Sequence, residues 1–177
     1  MTRWGRASLV LILVAAPLGQ AHAQRQSSSR NWVTLGLGQA TWGGLTELGG
    51  QFTFSHQRGR MVVTGRGLVG FDLLGDVLQV PGMNTSVEDY GLMVGAGSRP
   101  GLIRYSLGAG VGAATITRKG SSGSADSHTK TFGVPLEGQL FLQPIPFVGL
   151  GFYGYGDLNK QKSFWGWSIS VALGRGR

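Results

Sequence analysis

The sequence contains no cysteine, which excludes disulfide frameworks, thiolate metal sites and cysteine nucleophiles. Charged residues make up only 14% of it, where soluble domains carry roughly 25%. Beyond residue 23 no stretch offers the roughly 18 consecutive apolar residues of a membrane-spanning helix. Helical periodicity of any kind is scarce. Only His56 and His128 remain beyond residue 23; without cysteine they give no basis for a zinc site, and no cofactor is expected. What abounds is glycine, 32 of 177 residues. It lacks the three-residue period of collagen, so it must serve another kind of packing.

The N-terminus reads as an address. Arg3 and Arg6 precede the apolar run 9–16, Pro17 and Gly19 break it, and Ala21-His22-Ala23 is an A-x-A cleavage pattern. These are the three parts of a secretory signal in order, so residues 1–23 are expected to be removed after export. Residues 24–30 (Gln-Arg-Gln-Ser-Ser-Ser-Arg) form a polar leader, expected to be flexible and periplasmic.

The rest, 31–177, alternates with period 2. Strands are expected at about 31–41, 46–57, 60–71, 87–98, 102–117, 130–142, 147–156 and 163–174. In the fifth, Ile103, Tyr105, Leu107, Ala109, Val111 and Ala113 share one face, against Arg104, Ser106, Gly108, Gly110 and Gly112 on the other. In the eighth, Trp165, Trp167, Ile169, Val171 and Leu173 oppose Gly166, Ser168, Ser170, Ala172 and Gly174. Eight is even, as single-chain outer-membrane barrels require. The connections alternate too. They are short at 58–59, 99–101 and 143–146, and longer at 72–86, 118–129 and 157–162; on the longer side only the first, near 41–45, is brief. Short turns toward the periplasm and long loops toward the exterior are the outer-membrane pattern. Two segments strain the scheme: turning Arg66 inward leaves Gly65 and Gly67 outward, and in the seventh strand a change of parity between Phe152 and Tyr153-x-Tyr155 suggests a bulge near Phe152.

A soluble eight-stranded barrel of the lipocalin kind also alternates, with its apolar face inward. Its outer face would then need many charges. Here the less apolar face is mostly Gly, Ser, Ala and Thr, which suits the narrow interior of an eight-stranded barrel and makes a poor solvated surface. The expectation is an all-β, eight-stranded antiparallel up-and-down transmembrane barrel; a secreted lipocalin-like barrel binding a small apolar ligand is the alternative.

On these residues the chain resembles the small eight-stranded outer-membrane barrels, the class of the outer membrane protein A membrane domain and outer membrane protein X. Within it, Phe164-x-Gly166-x-x-Ile169-x-Val171 is similar to the last-strand signal that engages the barrel-assembly machinery. Phe164 stands where that signal usually has a polar residue, and the sequence closes on Leu173-Gly174-Arg175-Gly176-Arg177 rather than on an aromatic. The resemblance implies residence in a Gram-negative outer membrane, a non-enzymatic structural or surface-interaction role, at most a narrow plugged pore, and contact with outer-membrane lipids and lipopolysaccharide. Lipid-modifying enzymes share the fold class and give a second alternative, an outer-membrane lipid-modifying enzyme using His128, although their signatures are not matched around His56 or His128.

Four charges fall in mid-strand: Glu47, Arg66, Arg104 and Glu137. A lipid-facing arginine at the bilayer midplane costs about 2–4 kcal/mol, so all four are expected to point inward as a lumen charge cluster. There they would neutralise one another, with Gln51 and Gln139 adding hydrogen bonds. A plug and a gated narrow pore both follow from such a cluster, and the narrow interior favours the plug. Trp32, Trp42, Tyr90, Tyr105, Tyr153, Tyr155, Phe164 and Trp165 lie near strand ends, where aromatic girdles form; Trp32, Trp42, Tyr105 and Trp165 are the expected interfacial set. The short-turn side carries Arg25, Arg30, Arg58, Arg60, Arg99, Arg175 and Arg177 with no acid among its turns and tails. Asp126-Ser127-His128 holds the residue types of a hydrolase triad, but neighbours along a loop rarely converge in that geometry, and no catalytic residue is expected. Despite a sequence pI of about 10.6, no nucleic-acid recognition motif is present.

Overall fold

A computed structural model describes residues 29–42, 45–71, 85–98, 101–118, 127–161 and 163–174. The signal segment, most of the leader and most of the expected long loops 72–86 and 118–129 fall outside these residues, while the third, expected at 157–162, is shorter because the seventh strand runs on to Asn159. Eight strands follow in order: β1 (Ser29–Trp42), β2 (Leu45–Arg58), β3 (Met61–Phe71), β4 (Thr85–Gly97), β5 (Ile103–Arg118), β6 (Ser127–Ile145), β7 (Val148–Asn159) and β8 (Phe164–Gly174). Each pairs antiparallel with its neighbours in sequence, and β1 closes on β8 from Trp32–Gly174 to Trp42–Phe164. A closed ladder pairs the strand backbone without a free edge. No charge or proline is therefore needed to blunt one, which is consistent with so few charges in the walls.

The short-turn end is tied tightly. Gly59, between two arginines, takes φ 65°, a left-handed conformation that glycine adopts without steric cost. The amide of Gly97 donates to Arg60 O at 2.8 Å, Gln143 N to Leu102 O at 2.7 Å, and Gly174 N to Phe147 O at 3.0 Å.

Alternation translates directly into facing. Leu107, Val111 and Phe132 are 69%, 70% and 86% exposed on the outer wall, while Arg66, Arg104 and Asp89 are 3%, 4% and 0% exposed within. The β5 and β8 faces are those that the sequence pattern assigns. In β3, Arg66 faces in and Gly65 and Gly67 face out; the Tyr90 ring lies 3.6 Å from where a Cβ on Gly67 would be. An aromatic leaning on an outward glycine restores part of the missing packing.

The expected bulge at Phe152 is absent. Phe152 pairs without interruption with Leu140 on one side and Ile169 on the other, so Phe152 points out and Tyr153 and Tyr155 point in. The register shift between β6 and β7 falls instead between Leu142 and Ile145, around Pro144, which has no amide to give the ladder. The turn accordingly comes at 146–147, later than expected.

Candidate functional site

The interior of the barrel is where the chemistry-bearing side chains converge. Toward the long-loop end, Ala40, Leu68, Val87, Ala114 and Phe164 pack with Tyr153 and Tyr155 into one apolar cluster. Toward the short-turn end, Trp32, Val62, Phe141 and Ala172 form another. A polar layer runs between and beside them. Glycine makes room for this filling: a Cβ on Gly49 would lie 2.9 Å from the Tyr155 hydroxyl, and one on Gly166 would lie 2.5 Å from the same ring. Large side chains from one wall therefore rest on bare backbone of another, and an eight-stranded interior has room for little else.

All four expected mid-strand charges are buried and face inward, and Arg66 finds its carboxylate outside that set. Arg66 pairs with Asp89 at 2.5 Å, a residue the sequence pattern had not singled out. Its Nη1 donates to Leu136 O at 3.0 Å, and its guanidinium lies 5.9 Å from the centre of the Tyr155 ring. Glu137 accepts from the Tyr153 hydroxyl at 2.9 Å and, at 3.4 Å, from Gln139 Nε2. Gln139 Oε1 in turn accepts from the Trp32 indole at 3.3 Å, and Gln51 donates to Ser170 Oγ at 2.9 Å. Arg104 stands nearer the short-turn end, 4.1 Å from the Trp32 ring centre and 5.2 Å from that of Phe141. Glu47 faces inward from β2 and is 8% exposed.

Of the expected interfacial aromatics, Tyr105 and Trp165 project outward, 56% and 60% exposed. Trp32 does not. It is 2% exposed, because it shares inward parity with Thr34, Gly36, Gly38 and Ala40 in β1, and it is a member of the lumen network. Tyr153, Tyr155 and Phe164 likewise face inward rather than joining a girdle. The side chain of Trp42 lies outside those described. In the segment expected to carry the assembly signal, Gly166 sits beneath Tyr155, while Ile169 and Val171 face outward.

His128 lies at the start of β6, not in a loop, and its Nδ1 is 3.0 Å from Thr117 Oγ1 across the strand pair; Asp126 lies outside the described residues. His56 pairs with Asn31 Oδ1 at 2.7 Å on the outer face. Among the described residues, the hydrogen-bonding neighbour of each histidine is thus a neutral side chain. On the outer wall, outward glycines open two apolar grooves, one of about 660 Å³ at Gly65 and Gly67 between Phe54 and Leu92, the other of about 400 Å³ at Gly138, Gly154 and Gly156.

The Tyr153–Glu137 bond gives a direct test of how far the lumen is held by its polar groups. Tyr153→Phe removes only the hydroxyl and leaves the Glu137 carboxylate with the long Gln139 contact. A lost hydrogen bond to a charged group corresponds to about 1.5–3 kcal/mol, to be read as a lowered midpoint in urea unfolding.

No family model matches the chain, and no curated protein does. Solved structures do match. The Neisserial surface protein A, NspA, superposes with a TM-score of 0.63 at 11% identity, covering 84% of this chain and 99% of that one. The attachment invasion locus protein Ail of Yersinia pestis, in complex with the heparin analogue sucrose octasulfate, gives 0.61 at 10% identity over 83% and 99%. The N-terminal β-barrel domain of Pseudomonas aeruginosa OprF gives 0.58 at 10% identity, again over 83% and 99%. At these identities the likeness is one of fold: a small, closed, eight-stranded antiparallel barrel.

Proposed function

We propose that the chain is a non-enzymatic integral outer-membrane barrel with a structural or surface-interaction role and a plugged interior. The observation that carries this reading is the orientation of the wall. Its outer face is apolar through the middle of the strands. The exposed charges Arg58, Arg60, Glu88, Lys130 and Lys160 stand near strand ends or in turns. A wall built this way matches hydrocarbon bounded by two polar layers, whereas a lipocalin-like barrel would place water against Leu107 and Val111. The interior arrangement supports closure, since Tyr155, Arg66 and Asp89 are buried in the lumen and held to one another or to the wall.

An exported chain with this wall belongs in a Gram-negative outer membrane. The similar barrels are consistent with that address: one carries the name of a surface protein, and Ail has been described in a phospholipid bilayer nanodisc. Lys130 and Lys160 at the long-loop end suit an anionic surface partner, with lipopolysaccharide phosphates the nearest. Gly166, Ile169 and Val171 are proposed to engage the barrel-assembly machinery during insertion.

Membrane fractionation with protease shaving of intact cells tests the reading. The protein is expected in the outer-membrane fraction with a heat-modifiable band, trypsin cutting between Arg118 and Lys130 and sparing Arg58 to Arg60. Recovery in the soluble periplasm would overturn the membrane reading, and cleavage at Arg58 would overturn its orientation. Purified protein in planar bilayers is expected to be silent.

A further inference from the structure

We propose that the short-turn mouth of the barrel holds a site for a phosphate group, built on Arg104 and Arg30. The Arg104 guanidinium carbon lies over the Trp32 ring at 4.1 Å and over the Phe141 ring at 5.2 Å. Aromatic rings answer the charge but do not replace the oxygen acceptors that the guanidinium N–H groups require. Both terminal nitrogens, Nη1 and Nη2, are buried with no hydrogen-bond partner among the described residues. Those paired terminal N–H groups form the edge that an oxyanion reads in bidentate fashion. Because the Arg104 side chain is already buried between these rings, binding there would cost little side-chain entropy.

The surrounding charge points the same way. Arg30 faces inward from β1 on the face of Trp32, two residues nearer the strand end, so it adds positive charge to the same mouth. Arg58 and Arg60 stand exposed at the adjoining turn. Among the described residues the acids lie elsewhere. Glu47, Glu88, Asp89 and Asp157 are toward the long-loop end, and Glu137 is near the middle of β6. Like charges brought together in a partly apolar mouth favour an anion between them. Phosphate presents oxygens in more than one direction, so it meets the Arg104 edge and the Arg30 side chain together. A plain seal of this mouth would be met by the rings over the guanidinium and would leave neither terminal nitrogen without an acceptor. The site goes beyond the envelope role proposed above and does not depend on which partner the outer loops meet.

The test is a titration of the folded mature chain, in maltoside micelles at constant ionic strength, with inorganic phosphate replacing chloride. NMR follows the Trp32 indole N–H and the Arg104 Nε–H. Both are expected to move saturably. Arg104→Lys, which keeps the charge and loses the fork, should weaken apparent affinity about tenfold, equivalent to ~1.4 kcal/mol, and Arg30→Gln should weaken it less. A second arm uses phosphatidylcholine nanodiscs with and without phosphatidylglycerol. The same shifts appearing only with phosphatidylglycerol would make the source a lipid headgroup; shifts with inorganic phosphate alone would make it the free ion. Shifts that never saturate in either arm, or an affinity unchanged in a heat-modifiable and therefore folded Arg104→Lys, overturn the site. Should that variant not fold, Arg30→Gln decides, and affinity unchanged in it overturns the site equally.

Discussion

Arg66→Met should destabilise the barrel by about 3–5 kcal/mol, the cost of leaving one member of a buried ion pair without the other. Arg66 and Asp89 both have side chains with no exposure, and they meet at 2.5 Å. Removing the guanidinium strips Asp89 Oδ2 of its donor, and Asp89 Oδ1 already has none. It also frees the Leu136 carbonyl that accepts from Arg66 Nη1. Asp89→Leu should cost a similar amount by stranding the cation instead. The double variant is the informative one. Replacing a buried pair with apolar side chains of similar volume is often neutral or stabilising, so Arg66→Met with Asp89→Leu should recover most of either loss. Urea unfolding of the barrel refolded into lipid vesicles, analysed as a double-mutant cycle, reads the coupling. Additive losses would show that the two groups are held by the wall independently and that the pair does not organise the lumen. Conductance should follow packing rather than charge, with the single variants noisier than the double.

What the residues disclosed in advance, and what they withheld, separates along a physical line. Parity is local. In β5 and β8 each apolar residue alternates with a small one, so facing follows from position alone, and closure follows from the even count of strands with short and long connections in turn. The inward sense of Glu47, Arg66, Arg104 and Glu137 was legible for the same reason, since a charge in mid-strand has one inexpensive direction to point. Asp89 was not. In β4 both faces carry apolar residues, Val87 and Met93 inward with Leu92 and Val94 outward, so contrast between faces is weak. Which carboxylate meets which arginine is a matter of stagger between strands, and no single segment contains it.

The aromatics show a different limit. Trp32, Tyr153 and Tyr155 lie near strand ends, and nearness to an end suggested the membrane interface. Their inward facing was nonetheless recoverable. Trp32 shares parity with the small residues of β1, and the inward glycines Gly49 and Gly166 leave space that a large ring must fill. In a barrel this narrow, an excess of inward glycine on some strands signals large inward side chains on others. The sequence holds both halves of that statement. They lie more than a hundred residues apart for Gly49 and Tyr155, and only the barrel brings them together.

The outer wall allows a sharper experiment than the lumen, because the two readings of this barrel assign opposite costs to one substitution. Val111 faces outward near the middle of β5 and is 70% exposed. Against hydrocarbon, Val111→Arg should cost about 2–4 kcal/mol, since the guanidinium must be dragged toward a headgroup layer or hydrated in place. Against water the same change removes exposed apolar surface, and an exposed surface substitution is usually within about 0.5 kcal/mol of neutral. Thr46→Arg, exposed beside the long-loop end of β2, supplies the internal control. There an interfacial arginine should cost about 0–1 kcal/mol. Both variants are refolded into phosphatidylcholine vesicles and unfolded with urea, with the fraction of heat-modifiable band as a second measure. A large loss for Val111→Arg beside a small one for Thr46→Arg is expected of a wall that faces lipid. Equal, near-zero effects would place water at Val111. The wall would then be that of a soluble barrel, because no membrane protein leaves a mid-wall arginine in hydrocarbon at no cost.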